Sequence, residues 1–178
     1  LLTVSVAHAD WSARFLATSS KGEFPKIEGQ FFSKVDRFRV DSPYPFEMSI
    51  YVRSGSSRVY AAVHSFRIRL SSNLKRFAGQ VPGCLAKKFS ECISTLRLKK
   101  TGEEKCADEG KPFVCDVYEG KPSGAEIKKI KLWHRRGEAE PVLARSVITK
   151  ADGSEIRTDF SKISRKVRPE AHFSIPSS

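Results

Sequence analysis

The sequence predicts an α+β domain in which an antiparallel β-sheet, apolar on one face and solvated on the other, carries most of the chain and one amphipathic helix completes it. Three observations predict this. Segment after segment alternates apolar and polar residues with a period of two, the signature of a half-buried strand. Asp152-Gly153 stands between two runs rich in β-branched residues, and a D-G pair there marks a hairpin because glycine supplies the positive φ of the turn. One stretch, residues 84–98, switches to helical spacing.

Residues 1–9 stand outside the alternation. Leu1 to Val6 is a short apolar run, and Ala7-His8-Ala9 is a small-x-small cleavage site before Asp10. The stretch reads as the remnant of a secretory signal, with a buried N-terminal strand as the alternative. The expected unit is then residues 10–178, one exported, soluble, periplasmic domain. No run reaches the roughly 20 apolar residues of a membrane-spanning helix.

Trp11, Ala13, Phe15 and Ala17 share one face and open the sheet; Lys21-Gly22 turns it. Ile27 to Phe32 is the second strand, with Gly29 at a bulge or bend. In Arg37 to Asp41, Phe38 and Val40 point inward and both arginines outward. Ser42-Pro43-Tyr44-Pro45 interrupts, and Met48, Ile50 and Val52 continue the sheet. Arg58 to Leu70 reads as one long return strand, with Phe66, Ile68 and Leu70 inward and Arg67 and Arg69 outward. After Val81-Pro82-Gly83, the residues Leu85, Phe89, Cys92, Ile93 and Leu96 recur at helical spacing, which predicts a helix from Cys84 to about Leu98. Ile130 to Trp133, Val142 to Thr149 and Ile156 to Phe160 are further strands, and Phe173-Ser174-Ile175-Pro176 closes the chain, its proline confined to an edge or end.

Cys84, Cys92, Cys106 and Cys115 lack the short C-x-x-C spacing of a zinc site, and in an exported chain an even count predicts disulfides. Cys106 and Cys115 flank a turn-like sequence and are expected to pair across a hairpin. The connectivity of Cys84 and Cys92 stays open, with a bond between them the first expectation. On one helix they would stand about 12 Å apart, too far to bond, so either the helix starts after Cys84 or the pairing crosses between segments.

Composition narrows the function. The chain has 178 residues, 39% of them hydrophobic, with twelve Phe, which excludes disorder and suits one domain with its own core. A net charge of +12 favours anionic partners. Nucleic acid is not expected, because aromatic and basic residues are not interleaved as in single-strand binders. Arg37, Arg39, Arg67 and Arg69 define a basic face that reads as a docking patch for an anionic membrane surface or acidic partner, or as a merely solvated face. His64, His134 and His172 have no neighbours at ligand spacing, and no nucleophile elbow, phosphate loop or metal motif is present. The expectation is a protein without enzymatic activity, cofactor or metal.

Several stretches together resemble the LolA-like superfamily of periplasmic lipoprotein carriers and related lipid-binding proteins. They are Glu28-Gly29-Gln30-Phe31-Phe32, Asp36 to Val40, Ile50 to Tyr60, Trp133, Pro141, Asp152-Gly153, Phe160-Ser161-Lys162-Ile163 and Phe173 to Pro176. The resemblance covers most of residues 11–176. It implies a strongly curved sheet, an incomplete barrel, whose concave apolar face is covered by helices over a cavity for acyl chains. Two features depart from the carriers. Asp10 leads directly into strand residues where they have an amphipathic helix, and Lys34 stands where they favour an arginine.

With inward alternation, the resemblance assigns Phe15, Phe31, Phe38, Ile50, Phe66, Ile68, Trp133 and Phe160 to the cavity. It makes Leu85, Phe89, Ile93 and Leu96 the stripe of a lid helix; an ordinary core helix would show the same stripe. The implied function is carriage of a lipid, an acyl chain or a lipoprotein by a monomer. A periplasmic sensor or interaction module on the same fold, engaging a protein partner, is the alternative.

Overall fold

The period-two alternation becomes a single antiparallel sheet. A computed structural model describes residues 10–34, 36–53, 55–73, 89–122, 126–138 and 142–176. Among them run β1 (Trp11–Ser19), β2 (Ile27–Lys34), β3 (Arg37–Ser42), β4 (Met48–Arg53), β5 (Arg58–Val63), β6 (Ile68–Asn73), β7 (Lys99–Asp108), β8 (Lys111–Gly120), β9 (Ile127–Arg135), β10 (Leu143–Lys150) and β11 (Glu155–Ser164). Their order is β6-β5-β4-β3-β2-β1-β11-β10-β9-β8-β7, so the sheet does not close on itself. Two sequential meanders, β1–β6 and β7–β11, meet where β1 pairs with β11, Phe15 opposite Phe160 and Ser19 opposite Ile156.

Residues opposite one another in register point to the same face, and this sorts the side chains. One face carries Trp11, Phe31, Phe38, Val52, Val59, Ile130, Leu132 and Phe160, all buried in the main core. Its aromatic centre is tight: Trp11 lies 4.8 Å from Phe31, Phe31 5.6 Å from Phe38, and Phe31 5.9 Å from Phe160 between ring centroids. The opposite face carries a smaller cluster of Cys115, Val117 and Trp133, flanked by Cys106, Phe113, Ala144 and Val147. Trp133, expected among the inward residues, belongs to this second cluster. Leu132 and His134 take the core side of β9, and the Trp133 indole N–H donates instead to Glu104 at 2.7 Å.

Helix α1 (Phe89–Thr95) buries Phe89 and Cys92. It ends earlier than the spacing predicts because Arg97 adopts φ +52°. The Leu98 N–H then returns to the Ile93 carbonyl and the Arg97 N–H to that of Ser94, satisfying the last turn without a terminal glycine. Gly120 makes room for this stop, since a Cβ there would stand 2.6 Å from the Arg97 carbonyl oxygen. The expected start of the helix, with Cys84 and Leu85, lies outside the described residues, as do residues 1–9 and Pro141. No helix among the described residues is long and apolar enough to cross a membrane.

One expected strand is corrected. The run Arg58 to Leu70 is not one strand: His64–Phe66 form a 3-10 turn, Arg67 takes φ +50°, and Ile68 pairs back on Val63. No glycine or proline marks that reversal, so alternation alone reads straight through it. The C-terminal stretch, expected at an edge or end, adds no strand to the sheet. Glu170–Phe173 form a 3-10 turn with Phe173 buried, and it packs on β3. Asp10, buried at the other end of the chain, accepts the Arg168 N–H and ties this segment to the start of β1.

The Cys106–Cys115 bridge forms as expected, across the β7–β8 hairpin. Cys92 is also disulfide-bonded; its expected partner, Cys84, lies outside the described residues. At the hairpin tip the Asp108 carboxylate accepts the backbone N–H groups of Lys162 and Ile163 at 2.6 and 2.8 Å. The β7–β8 hairpin is thereby pinned to β11.

Candidate ligand-binding cavity

The core-side face is not filled along its whole length. Beyond Phe31 and Phe38 the inward residues shrink to Ala17, Val40, Ile50, Val59 and Ala61, and a cavity of about 720 Å³ opens among them. Leu70 of β6 and Ile156 of β11 both line it. In a flat sheet those strands, six steps apart, would be separated by about 29 Å at the usual strand spacing. This half of the sheet is therefore rolled around the cavity. Phe24 of the β1–β2 connection and Ile27 at the start of β2 close one side, and Tyr44 and Pro45 of the β3–β4 connection with Met48 at the start of β4 close another. Gly29 shapes the wall: it lies opposite Phe15, and a Cβ there would fall 2.5 Å from the Phe15 ring. The bend expected at Gly29 is thus a seat for an aromatic ring.

The lining is mostly apolar, with hydroxyls from Ser42, Tyr44, Ser71, Ser72 and Thr158 and, among the described residues, a single charged side chain, Glu23. Glu23 is held by Lys150 and by the Ser154 hydroxyl at 3.1 Å, and the Lys150 hydrogen bond keeps its carboxyl below the ordinary carboxylate range. Among the described residues no Lys or Arg lines the cavity.

Of the eight residues expected in the cavity, Phe15 and Ile50 line it. Phe31, Phe38 and Phe160 belong to the packed core beside it. Phe66 and Ile68 are exposed at the β5–β6 turn, 58% and 47% respectively, because the chain reverses where the sequence pattern continues. Trp133 faces the other way. The helix residues Phe89, Ile93 and Leu96 pack on the main core and do not line the cavity. Phe89 stacks on the buried His134 ring at 3.6 Å and meets Tyr118 edge-on at 5.0 Å. Sequence reasoning missed Met48, Val40, Val59 and Ala61 as lining residues. All four lie on the apolar phase of their strands, but apolar side chains lining a void look the same in sequence as apolar side chains in a core.

The basic face is corrected too. Arg37 and Arg39 do point away from the core, yet the chain covers them. Arg39 donates to Asp41 at 2.7 Å, to the His172 carbonyl at 3.0 Å and to Ser49 at 3.2 Å, and lies over the Tyr51 ring. Arg37 makes two hydrogen bonds to Asp36, at 2.7 and 2.9 Å, and a third to Glu170 at 3.0 Å. That pair holds Asp36 below and Arg37 above its ordinary pKa, and Lys34 does the same for Glu170 from 3.0 Å. Burial lowers the His172 pKa in the same segment. These cations clamp the C-terminal segment to β2–β4 and do not form an open patch. Accordingly, Arg39→Gln is expected to cost about 1–3 kcal/mol in urea unfolding, since it removes the donor to the His172 carbonyl and leaves Asp41 with the Ser49 hydroxyl but no cation. Arg67→Gln should stay within about 0.5 kcal/mol. Equal and negligible effects would restore the solvated patch.

No family model and no curated protein sequence matches the chain. Solved structures do. A DUF1329 family protein from Desulfovibrio piger superposes with a TM-score of 0.54 at 12% identity, over 95% of this chain and 91% of that one. A LolA superfamily protein from Nitrosomonas europaea gives 0.51 at 15% identity, with the same coverage. MucB, in the MucA/MucB complex of Pseudomonas aeruginosa, gives 0.54 at 12% identity, over 94% of this chain and 56% of that one. At these identities the likeness is one of fold: the chain has a LolA-like fold.

Proposed function

We propose that this LolA-like chain is an exported carrier that takes an acyl chain, free or attached to a lipid or protein, into its cavity and releases it without covalent chemistry. The cavity carries the proposal. Protein interiors are close-packed, with few voids larger than a water molecule, whereas about 720 Å³ of largely apolar space lies open here. That volume falls within the usual range of ligand sites. An acyl chain entering it gains about 0.8 kcal/mol per buried CH₂, so a long chain binds without help from charge. In this reading the gate is the pair of connections carrying Phe24 and Tyr44, and α1 is a core helix that braces the far end.

A second reading is an interaction module that holds apolar side chains of a protein partner in the same cavity. The fold likeness to MucB, solved in complex with MucA, favours it. Native mass spectrometry of the protein purified from its own cells separates the two, with a co-purifying lipid supporting the carrier and a co-purifying protein the module. Ala61→Trp tests the site itself, since Ala61 lies at the cavity wall between Ile50 and Leu70. It should lower affinity for an apolar fluorescent probe at least about tenfold while leaving the unfolding midpoint close to wild type. Failure of the wild-type protein to bind any apolar probe, together with a clean apo mass, would sink the carrier.

A further inference from the structure

Exposed apolar side chains are not scattered over this molecule. Of the seven large ones exposed among the described residues, five are Tyr44, Phe46, Phe66, Ile68 and Leu70. They occupy two neighbouring turns at one end of the sheet, the β3–β4 connection and the β5–β6 turn, and the start of β6 that follows. Met48 lies opposite Val63, and the His64 N–H bonds to the Glu47 carbonyl at 2.9 Å, which sets the two turns side by side. Phe46 and Phe66 meet edge-on with centroids 5.3 Å apart, each ring at least half exposed. A contiguous apolar lip on an otherwise highly charged protein marks a surface for something apolar.

Two features say what that is. The lip is continuous with the cavity, because Tyr44 and Leu70 belong to both. It is also flanked by cations: Arg67 stands in the turn between Phe66 and Ile68, and Arg69, opposite Ala62 in register, points to the other face of β6 behind Leu70; among the described residues neither is in an ion pair. Arg69 gives a hydrogen bond to the Pro176 carbonyl, which leaves its charge uncompensated. Glu47 is the one acidic residue of the two turns, on a chain of net charge +12. Exposed aromatic rings flanked by arginines match the interface of a bilayer, where rings lie at head-group depth and cations meet anionic lipid. We propose that this lip seats in the surface of an anionic phospholipid bilayer with the cavity mouth toward the lipid. An acyl chain then passes between membrane and cavity without crossing water. The docking does not depend on the carrier reading; the passage of the chain does.

The test is partitioning onto phosphatidylcholine vesicles with and without phosphatidylglycerol. Wild-type protein should prefer the anionic vesicles. Phe46→Ser with Phe66→Ser should reduce partitioning about a hundredfold, roughly tenfold for each ring withdrawn from the interface. Arg67→Gln with Arg69→Gln should cost roughly tenfold on anionic vesicles and little on neutral ones. Both pairs should keep the wild-type unfolding midpoint, being exposed, and should still bind an apolar probe in the absence of vesicles. With Phe66→Trp, the indole introduced should be quenched by brominated lipid beyond the level set by Trp11 and Trp133. Unchanged partitioning of the serine pair overturns the proposal. So does loss of probe binding in solution, which would make the lip part of the cavity wall alone. A dimer abolished by the serine pair would instead make it a contact between copies.

Discussion

Phe38→Ala destabilises the domain by about 3–5 kcal/mol, the range for truncating a ring in a packed core. Phe38 is 3% exposed and packs against Phe31, so its removal leaves a hole that the sheet cannot collapse to fill. Ile50→Ala, on the next strand and the same face, costs less than about 2 kcal/mol, the floor for such a change in a packed core. The reason is that part of the Ile50 side chain already faces the cavity and loses few contacts when shortened. Urea unfolding of the two variants measures the difference directly. Equal costs would mean that the space beside Ile50 is filled and the cavity is closed.

Replacing both Cys106 and Cys115 by Ser lowers Tm by about 5–10 °C. The chain-entropy model assigns about 2–3 kcal/mol to a bridge spanning so short a loop, and a domain of this size shifts by about 2–4 °C per kcal/mol. The bridge also anchors the cluster of Val117 and Trp133 and steadies the hairpin tip whose Asp108 holds the backbone of β11. Calorimetry of the double variant checks the loss, and the surviving Cys92 bridge keeps the comparison confined to this hairpin. A shift under about 2 °C would show that the hairpin is held without its covalent tie.

Most of the fold was legible because a sheet with one wet face writes its period into the chain. Trp11, Ala13 and Phe15, or Phe38 and Val40, could be placed on the core side from alternation alone. The hairpin at Asp152-Gly153 followed from one glycine, which indeed takes φ +80°. What alternation cannot convey is where a strand stops when no glycine or proline marks the stop. Arg67 turns the chain in a left-handed conformation, and Phe66 and Ile68 thereby pass from expected cavity to exposed lip. Nor does the period say which apolar face is deeper when both carry clusters. Alternation with the resemblance places Trp133 inward, yet Leu132 holds that place. The clamp on Arg39 was hidden for another reason: its partner His172 is 133 residues away in the chain. Charge pattern alone therefore reads as open surface.

The two meanders are each built from neighbours in sequence, but their union is not. Ser12 of β1 pairs with Ser164 of β11, and until β11 exists that side of β1 has nothing to bond. A nascent chain can zip β1 through β6 by successive hairpins while Trp11 and Phe31 wait for the ring of Phe160 to complete their cluster. Closing that long-range pairing is the entropically costly step, and pairings of high sequence separation make for slow folding. The β1 margin is therefore the surface through which an incomplete molecule would join another incomplete molecule.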